Sequence, residues 1–321
     1  MADTASYRPT DNAFLGPLKG GSYEAAFTGA LSFMRRRYSR DLAGIDAVVW
    51  GAPFDSAVTN RPGARFGPQA IRRASAILCG DPQYPFAFDP FETLAVIDWG
   101  DASFDQGYPM EAAAQIKAQA DVILASGAFL LTLGGDHYVT WPLLQAHVEK
   151  HGPVALVQFD AHQDTWDDDG GRIDHGSFVA RAVKAGLIDA EHSIQIGIRT
   201  HAPDTCGIEI VYAHEVETLG VAGLVECITS RVGTAKTYVT FDIDCLDPAF
   251  APGTGTPVSG GLSSREALMT LRALGGLDIV GADIVEVAPA YDHADITAIA
   301  GSTVALYYLG LLAEKRGAGR D

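Results

Sequence analysis

Eight short runs of aliphatic and β-branched residues recur along the chain, and they limit its fold more than any other feature. They are Ala47 to Trp50, Leu94 to Ile97, Phe129 to Leu133, Val154 to Phe159, Ser193 to Ile198, Glu209 to Tyr212, Thr237 to Phe241 and Ile279 to Val285. A strand that is apolar on both faces has to be covered on both, as in a parallel sheet between two layers of helix. Helix-like stretches fill the intervals: Gln69 to Leu78 led by Pro68, Pro109 to about Ala125, Pro142 to Lys150, Phe178 to Ala185, Ala222 to Arg231, Ser263 to Leu274 and Thr297 to Ala313. Pro68 and Pro109 suit a first helical turn, where no backbone N–H is needed. The expected fold is α/β, a three-layer α/β/α arrangement with a central, mainly parallel, eight-stranded sheet. No linker or repeat divides the 321 residues, so 1–321 reads as one domain with residues 1–12 as a flexible tail.

Charge narrows the partners. Asp and Glu number 40 against 23 Lys and Arg, a net charge of −17, which repels a phosphate backbone and excludes nucleic acid as a partner while attracting small cations. The run Arg35-Arg36-Arg37 reads as a solvated or subunit-contact patch. Cys79, Cys206, Cys227 and Cys245 are scattered, without a C-x-x-C pair, and reduced thiols in the cytoplasm are the simplest reading. Met1 to Asp11 contains Asp3, Arg8 and Asp11 and has no apolar core, unlike a signal peptide. No stretch of sequence approaches the length of a membrane span, so no membrane is expected.

Chemistry gathers where the apolar runs end. Leu130 to Leu133 leads into Gly134-Gly135-Asp136-His137, Val154 to Phe159 into Asp160-Ala161-His162-Gln163-Asp164, and Tyr238 to Phe241 into Asp242-Ile243-Asp244. In open α/β sheets the functional crevice lies outside the carboxyl ends of the strands, so the three sets belong at one edge. Alternate residues of an extended chain point the same way; Asp160, His162 and Asp164 therefore share a direction, as do Asp242 and Asp244. With His137 they make four carboxylates and two imidazoles, too many for one tetrahedral zinc and suited to two divalent ions bridged by carboxylates. Oxygen-rich ligation without thiolate favours a hard or borderline ion such as manganese over structural zinc. One Asp-x-His or Asp-x-Asp alone also reads as a helix cap or turn. Three after three buried strands resist that reading, because clustered carboxylates repel one another without a cation. Cys245, beside Asp244, reads as a small packed residue.

These residues resemble the ureohydrolases, the family of arginases and agmatinases, with the match nearest the bacterial agmatinases. Besides G-G-D-H (134–137), D-A-H-Q-D-T (160–165) and the specific block F-D-I-D-C-L-D-P-A-F-A-P-G-T-G-T-P (241–257), the resemblance takes in G-P-Q-A-I-R (67–72), H-G-S-F (175–178), Q-I-G-I-R-T (195–200) and V-E-V-A-P-A-Y-D (285–292). It implies an arginase-like sheet and two Mn²⁺ per subunit. His137, Asp160, Asp164 and Asp242 would hold one ion; Asp160, His162, Asp242 and Asp244 would hold the other. A hydroxide between them would attack the guanidinium carbon, with Asp164 bonding the attacking oxygen and helping its proton to the leaving amine. Glu286 matches the guanidinium-binding glutamate. His175 matches the proposed proton shuttle, and also reads as a loop residue steadying the turn before Gly176. A homotrimer or homohexamer follows by the same analogy.

The resemblance implies a small cationic guanidino substrate, and agmatine is the one expected. Asp167, Asp168, Asp169 and Asp174, with a single Arg172, lie between the second motif and His175. Should that loop line the pocket mouth, its charge favours a distal ammonium over a carboxylate; a solvated turn is the other reading. Trp166 stands where agmatinases often carry Tyr, which leaves guanidinobutyrate, guanidinopropionate and arginine as alternative substrates. A two-metal phosphoesterase would want basic residues near the ions, and the motifs supply few. A non-catalytic metal-binding scaffold would be expected to have lost a ligand, and none of the six is missing.

Overall fold

A computed structural model describes residues 25–78, 82–167 and 171–317. The expected tail at 1–12, Cys79, Asp168 and Asp169 lie outside the described residues. In chain order the elements are β1 (Arg37–Tyr38), β2 (Ala47–Ala52), α1 (Gly67–Ser75), α2 (Pro90–Thr93), β3 (Val96–Asp101), α3 (Ala112–Ala125), β4 (Phe129–Gly134), α4 (Thr140–His151), β5 (Ala155–Phe159), α5 (Phe178–Lys184), β6 (Ile194–Ile198), β7 (Glu209–Tyr212), α6 (Ala213–Val232), β8 (Lys236–Asp242), α7 (Ser264–Arg272), β9 (Asp278–Val285) and α8 (Ile296–Lys315).

The strands form one nine-stranded sheet in the order β1-β3-β2-β4-β9-β8-β5-β6-β7, and every pairing is parallel. Each of the eight apolar runs is a strand. The count of eight is corrected by β1, two residues at one edge that pair Arg37 with Ile97 and Tyr38 with Asp98; a segment so short carries no periodicity to read. Helix α6 begins nine residues before the amphipathic stretch expected from Ala222, because Gly220 (φ 60°) interrupts it and breaks the pattern.

Side chains alternate between the two layers as a pleat requires. Ala47 and Val49 of β2, Leu131 and Leu133 of β4, and Ala155, Val157 and Phe159 of β5 pack with α1, α6, α7 and α8. Val48, Trp50, Leu130 and Leu156 face α3, α4 and α5. Helix α8 corrects the expectation that nothing here approaches a membrane span: an 18-residue stretch of its 20 residues has mean hydropathy 1.7, apolar enough to cross one, yet 72% of that stretch is buried inside the fold. Leu306, Leu309 and Leu311 are nearly inaccessible, and burying each contributes about 1.5–3 kcal/mol.

The strand order places the site. The chain builds one half of the sheet from β1 to β4 and the other from β5 to β7; β8 and β9 then fill the gap between β4 and β5. The carboxyl ends of β4, β9, β8 and β5 thus stand side by side where the order reverses, the place where such sheets bind ligands.

Candidate metal centre

Each of those four central strands ends in a functional residue. After β4 the chain turns sharply: Gly135 N–H donates to Ala52 O (2.8 Å) and Asp136 N–H to Phe54 O (2.7 Å). A Cβ on Gly135 would lie 1.7 Å from the Phe54 carbonyl oxygen, so only glycine fits. Asp136 then caps the next turn, accepting from Tyr138 N–H (3.2 Å), and its other oxygen accepts from Ala57 N–H (2.8 Å). This fixes His137 over the sheet edge.

The six residues that the spacing singled out converge. His137 Nδ1 lies 3.0 Å from Asp160 Oδ2, 3.0 Å from Asp164 Oδ2 and 3.1 Å from Asp242 Oδ2. His162 Nδ1 lies 3.1 Å from Asp244 Oδ2 and 3.4 Å from Asp160 Oδ1. Asp160 thus turns one oxygen toward each imidazole. The ligand atoms of His137, Asp160 and Asp242, and those of Asp160, His162 and Asp244, each fall within 4.8 Å of one another. These are two donor groups sharing a carboxylate.

The donors fit divalent cations on a tautomer argument. Thr240 Oγ1 has one proton and gives it to Asp283 Oδ1 (2.6 Å), so toward His137 Nε2 (2.8 Å) it accepts. One ring proton therefore sits on Nε2, and the buried Nδ1 is turned among three carboxylates, where it holds either a second proton or a cation. Burial disfavours protonating His137, yet Asp160, Asp164 and Asp242 outweigh it and hold the group well above the imidazole range. His162, opposed by burial and favoured by Asp244 and Asp160, is pushed up to about 12. Burial, then the charge of Asp160, raises Asp164 to about 7; burial, then Asp244 and Asp160, raises Asp242. A divalent ion would take the place of these protons.

Glu286, just past β9, joins the centre to a cavity. Its Oε1 accepts from His137 N–H (2.9 Å) and from His175 Nδ1 (2.8 Å), while Oε2 is buried without a partner. Glu286 (φ 63°) and Asp164 (φ 52°) both hold the left-handed conformation that non-glycine residues avoid, a strain typical of functional positions. His175 Nε2 faces Thr59, 2.9 Å from Oγ1 and 3.2 Å from the N–H. Thr59 N–H donates to Nε2, and when the ring is protonated the Thr59 hydroxyl oxygen is the group left to accept from it. Opposed by burial, Glu286 and more distant Asp164 and Asp136 push His175 up to about 9.

The cavity, of about 350 Å³, is lined by His137, His162, Asp164 and Asp242 on the metal side and by Thr59, Trp166, Arg172, Asp174, His175, Gly176 and Thr256 elsewhere, a size suited to a small molecule. Glu286 is not among the lining residues but bonds two that are, His175 by its side chain and His137 by its N–H. The acidic loop is only partly a cavity wall: Asp174 lines it, whereas Asp167 is 93% exposed and pairs with Lys184 (2.9 Å). Cys245 is fully buried, and burial, then Asp242 and Asp244, holds its thiol well above the ordinary range, in keeping with a packed residue.

Several residues that position the site were given no role by the sequence, although Gln195 opens the Q-I-G-I-R-T segment. Asp283, buried inside β9, accepts from Thr240, Thr140 (2.8 Å) and Tyr238 (2.8 Å). Gln158 Nε2 donates to Asp160 Oδ2 (2.6 Å), and Gln195 Nε2 donates to Gln158 Oε1 (2.7 Å). The signal that would have found them is a polar side chain inside an otherwise apolar strand, where burial demands a partner.

Comparison with known proteins agrees with this geometry. The model of the "Arginase family" matches residues 45–310. An agmatinase of Chromobacterium violaceum is 54% identical over 304 residues, 94% of each chain. The crystal structure of a hypothetical agmatinase from Burkholderia thailandensis superposes with a TM-score of 0.95 at 52% identity, covering 97% of this chain and all of that one. Proclavaminate amidino hydrolase from Streptomyces clavuligerus gives 0.84 at 40% identity over 90% of this chain and 99% of its own. A buried pair of His/Asp donor groups at the reversal of a parallel sheet, and matches of this extent, lead to one conclusion: the chain belongs to the arginase family, the ureohydrolases.

Proposed function

We propose that this protein hydrolyses agmatine to putrescine and urea at a centre of two manganese ions, held by His137, Asp160, Asp164 and Asp242 on one side and by Asp160, His162, Asp242 and Asp244 on the other. The observation that carries the reading is the pair of donor groups sharing Asp160, with His137 Nδ1 directed among carboxylates. When bound, such ions supply water acidic enough to act as a nucleophile near neutral pH, which an inert guanidinium requires. Their identity as manganese is supported by the oxygen-rich, thiolate-free donor set.

The chain's own groups have separable tasks. Glu286 Oε2, the oxygen without a partner, is the natural acceptor for a guanidinium N–H. Asp164, lining the cavity beside His137, orients the attacking oxygen and can hold its proton. His175 carries a proton at Nε2, on the cavity side against Thr59, to the leaving amine; the net reaction adds one water across the C–N bond. Agmatine as substrate is supported by relatives named agmatinase that match nearly the full chain.

Urea release from agmatine, arginine, guanidinobutyrate and guanidinopropionate by the manganese-loaded protein tests this. Agmatine should lead in kcat/KM by about tenfold or more; preference for a carboxylate-ended compound overturns the assignment. We also read residues 1–321 as a single cytoplasmic domain assembling as a homotrimer or homohexamer. The assembly is inferred from membership of the family, and light scattering would measure it.

A further inference from the structure

We propose that Asp174, flanked by Trp166, is the receptor for the distal cationic end of the substrate, and that Arg172 competes with that end for the carboxylate. The inference rests on the reading of the protein as an enzyme acting on a guanidino compound with a terminal ammonium. Among the described cavity-lining residues, Asp174 is the one carboxylate outside the metal cluster. Its Oδ1 accepts from Gly176 N–H (2.8 Å), which ties it to the same turn that presents His175. Its Oδ2 pairs with Arg172 Nη2 (2.6 Å).

The indole is placed to complete the receptor. A Cβ on Gly176 would stand 3.5 Å from Asp174 Oδ1 and 3.6 Å from Trp166 Cε3. The carboxylate and the aromatic ring therefore flank the bare backbone of Gly176, itself part of the cavity wall. A carboxylate beside an aromatic face suits an ammonium on an alkyl stem: the oxygen takes the charge, and the ring attracts the cation and covers the methylenes.

The existing ion pair decides the sign of the preference. Asp174 is fixed, with its side chain 13% exposed and its Oδ1 held by the turn, whereas the Arg172 side chain is 61% exposed. A long exposed side chain gives up a single screened ion pair at little cost. The pair therefore presents a rigid anion and a displaceable cation, a geometry that accepts a substrate ammonium and repels a terminal carboxylate. Of the two described carboxylates of the acidic loop, Asp174 lines the cavity and Asp167 is turned to Lys184 at the surface.

The test uses the manganese-loaded enzyme with agmatine and with n-pentylguanidine, in which a methyl replaces the ammonium. Asp174→Asn keeps an acceptor for Gly176 N–H and removes the charge. It should raise KM for agmatine by about tenfold or more, with kcat within about twofold, and leave pentylguanidine kinetics unchanged. Arg172→Gln, at an exposed side chain, should lower KM for agmatine and not for pentylguanidine. Parallel changes for both compounds, no change in Asp174→Asn, or an unchanged or raised agmatine KM in Arg172→Gln would overturn the proposal. Failure of the agmatine reading itself would appear in the unmutated enzyme, as no urea from agmatine; failure of the receptor appears only in the variants.

Discussion

Thr240 Oγ1 donates to Asp283 Oδ1 across 2.6 Å, and that bond dictates which nitrogen of His137 is free. With the hydroxyl proton committed to a buried carboxylate, Nε2 must be the protonated ring nitrogen and Nδ1 the ligand. Thr240→Val removes the acceptor and leaves Nε2–H unpartnered. Groups that orient a metal-binding histidine commonly contribute 10–100-fold to affinity, and a loss of about that size is expected. Chelator competition on the folded protein, with metal content measured directly, checks it; an affinity equal to wild type would refute the tautomer argument.

A different consequence follows from the His175–Glu286 pair. Burial opposes charge on His175, but Glu286 and the more distant Asp164 and Asp136 prevail and raise it from 6.5 to about 9. A folded-state value above the unfolded one gives stability that is fully present below pH 6.5 and is lost as pH rises through about 9. In protein stripped of divalent cations, the Tm advantage of wild type over His175→Gln should be widest near about pH 6 and shrink by about pH 10. Melting curves across that range decide it, and an advantage that grows with pH would contradict the pairing.

Catalysis through His175 has its own signature. If Nε2 carries a proton between cavity and leaving group, His175→Gln should lower kcat by about 10²-fold or more while KM for agmatine moves little. Thr59→Val, which removes the hydroxyl 2.9 Å from Nε2, should displace the pH profile of kcat and have less effect on its maximum. A His175 variant with full kcat would return the residue to the loop-steadying role.

The strands and the six donors were legible in the sequence because each left a local mark. Apolar runs such as Val154 to Phe159 betray burial on two faces, and Asp160-Ala161-His162-Gln163-Asp164 spells its side-chain direction in its spacing. Strand β1 left no such mark, since Arg37 and Tyr38 are held by β3 and not by their own pattern. Asp283 and Gln158 escaped notice for a related reason: each occupies a strand position that reads as a flaw in an apolar run until its partners, distant in sequence, come into view. The loop from Trp166 to Asp174 was legible only in part. Composition counts charges, but only the fold separates Asp174, in the cavity wall, from Asp167, out on Lys184.

The turn after β4 makes a prediction about stability alone. Gly135→Ala would force a methyl to within 1.7 Å of the Phe54 carbonyl oxygen, which is backbone and cannot rotate away. The two chains must part, breaking the Gly135-to-Ala52 and Asp136-to-Phe54 bonds that set His137. A destabilisation of about 3 kcal/mol or more is expected, in the upper range for single substitutions. Chemical denaturation of the variant measures it, and wild-type stability would mean that the turn is looser than these contacts require.

Asp160 and Asp244 should differ in how many ions they hold. Asp160 turns Oδ2 toward His137 and Oδ1 toward His162, whereas Asp244 meets only the second of these imidazoles. Asp160→Asn therefore weakens both donor groups, and Asp244→Asn leaves the His137 group complete. Metal analysis after equilibrium dialysis against manganese should find Asp160→Asn nearly empty and Asp244→Asn near half the wild-type content. Thermal stability should follow, since an ion that binds only the folded state stabilises it by RT ln(1 + [L]/Kd): added manganese should raise Tm most in wild type, less in Asp244→Asn and least in Asp160→Asn. Equal metal loss in the two variants would mean that the carboxylates act as one undivided cluster, and the case for a shared bridging ligand would fall with it.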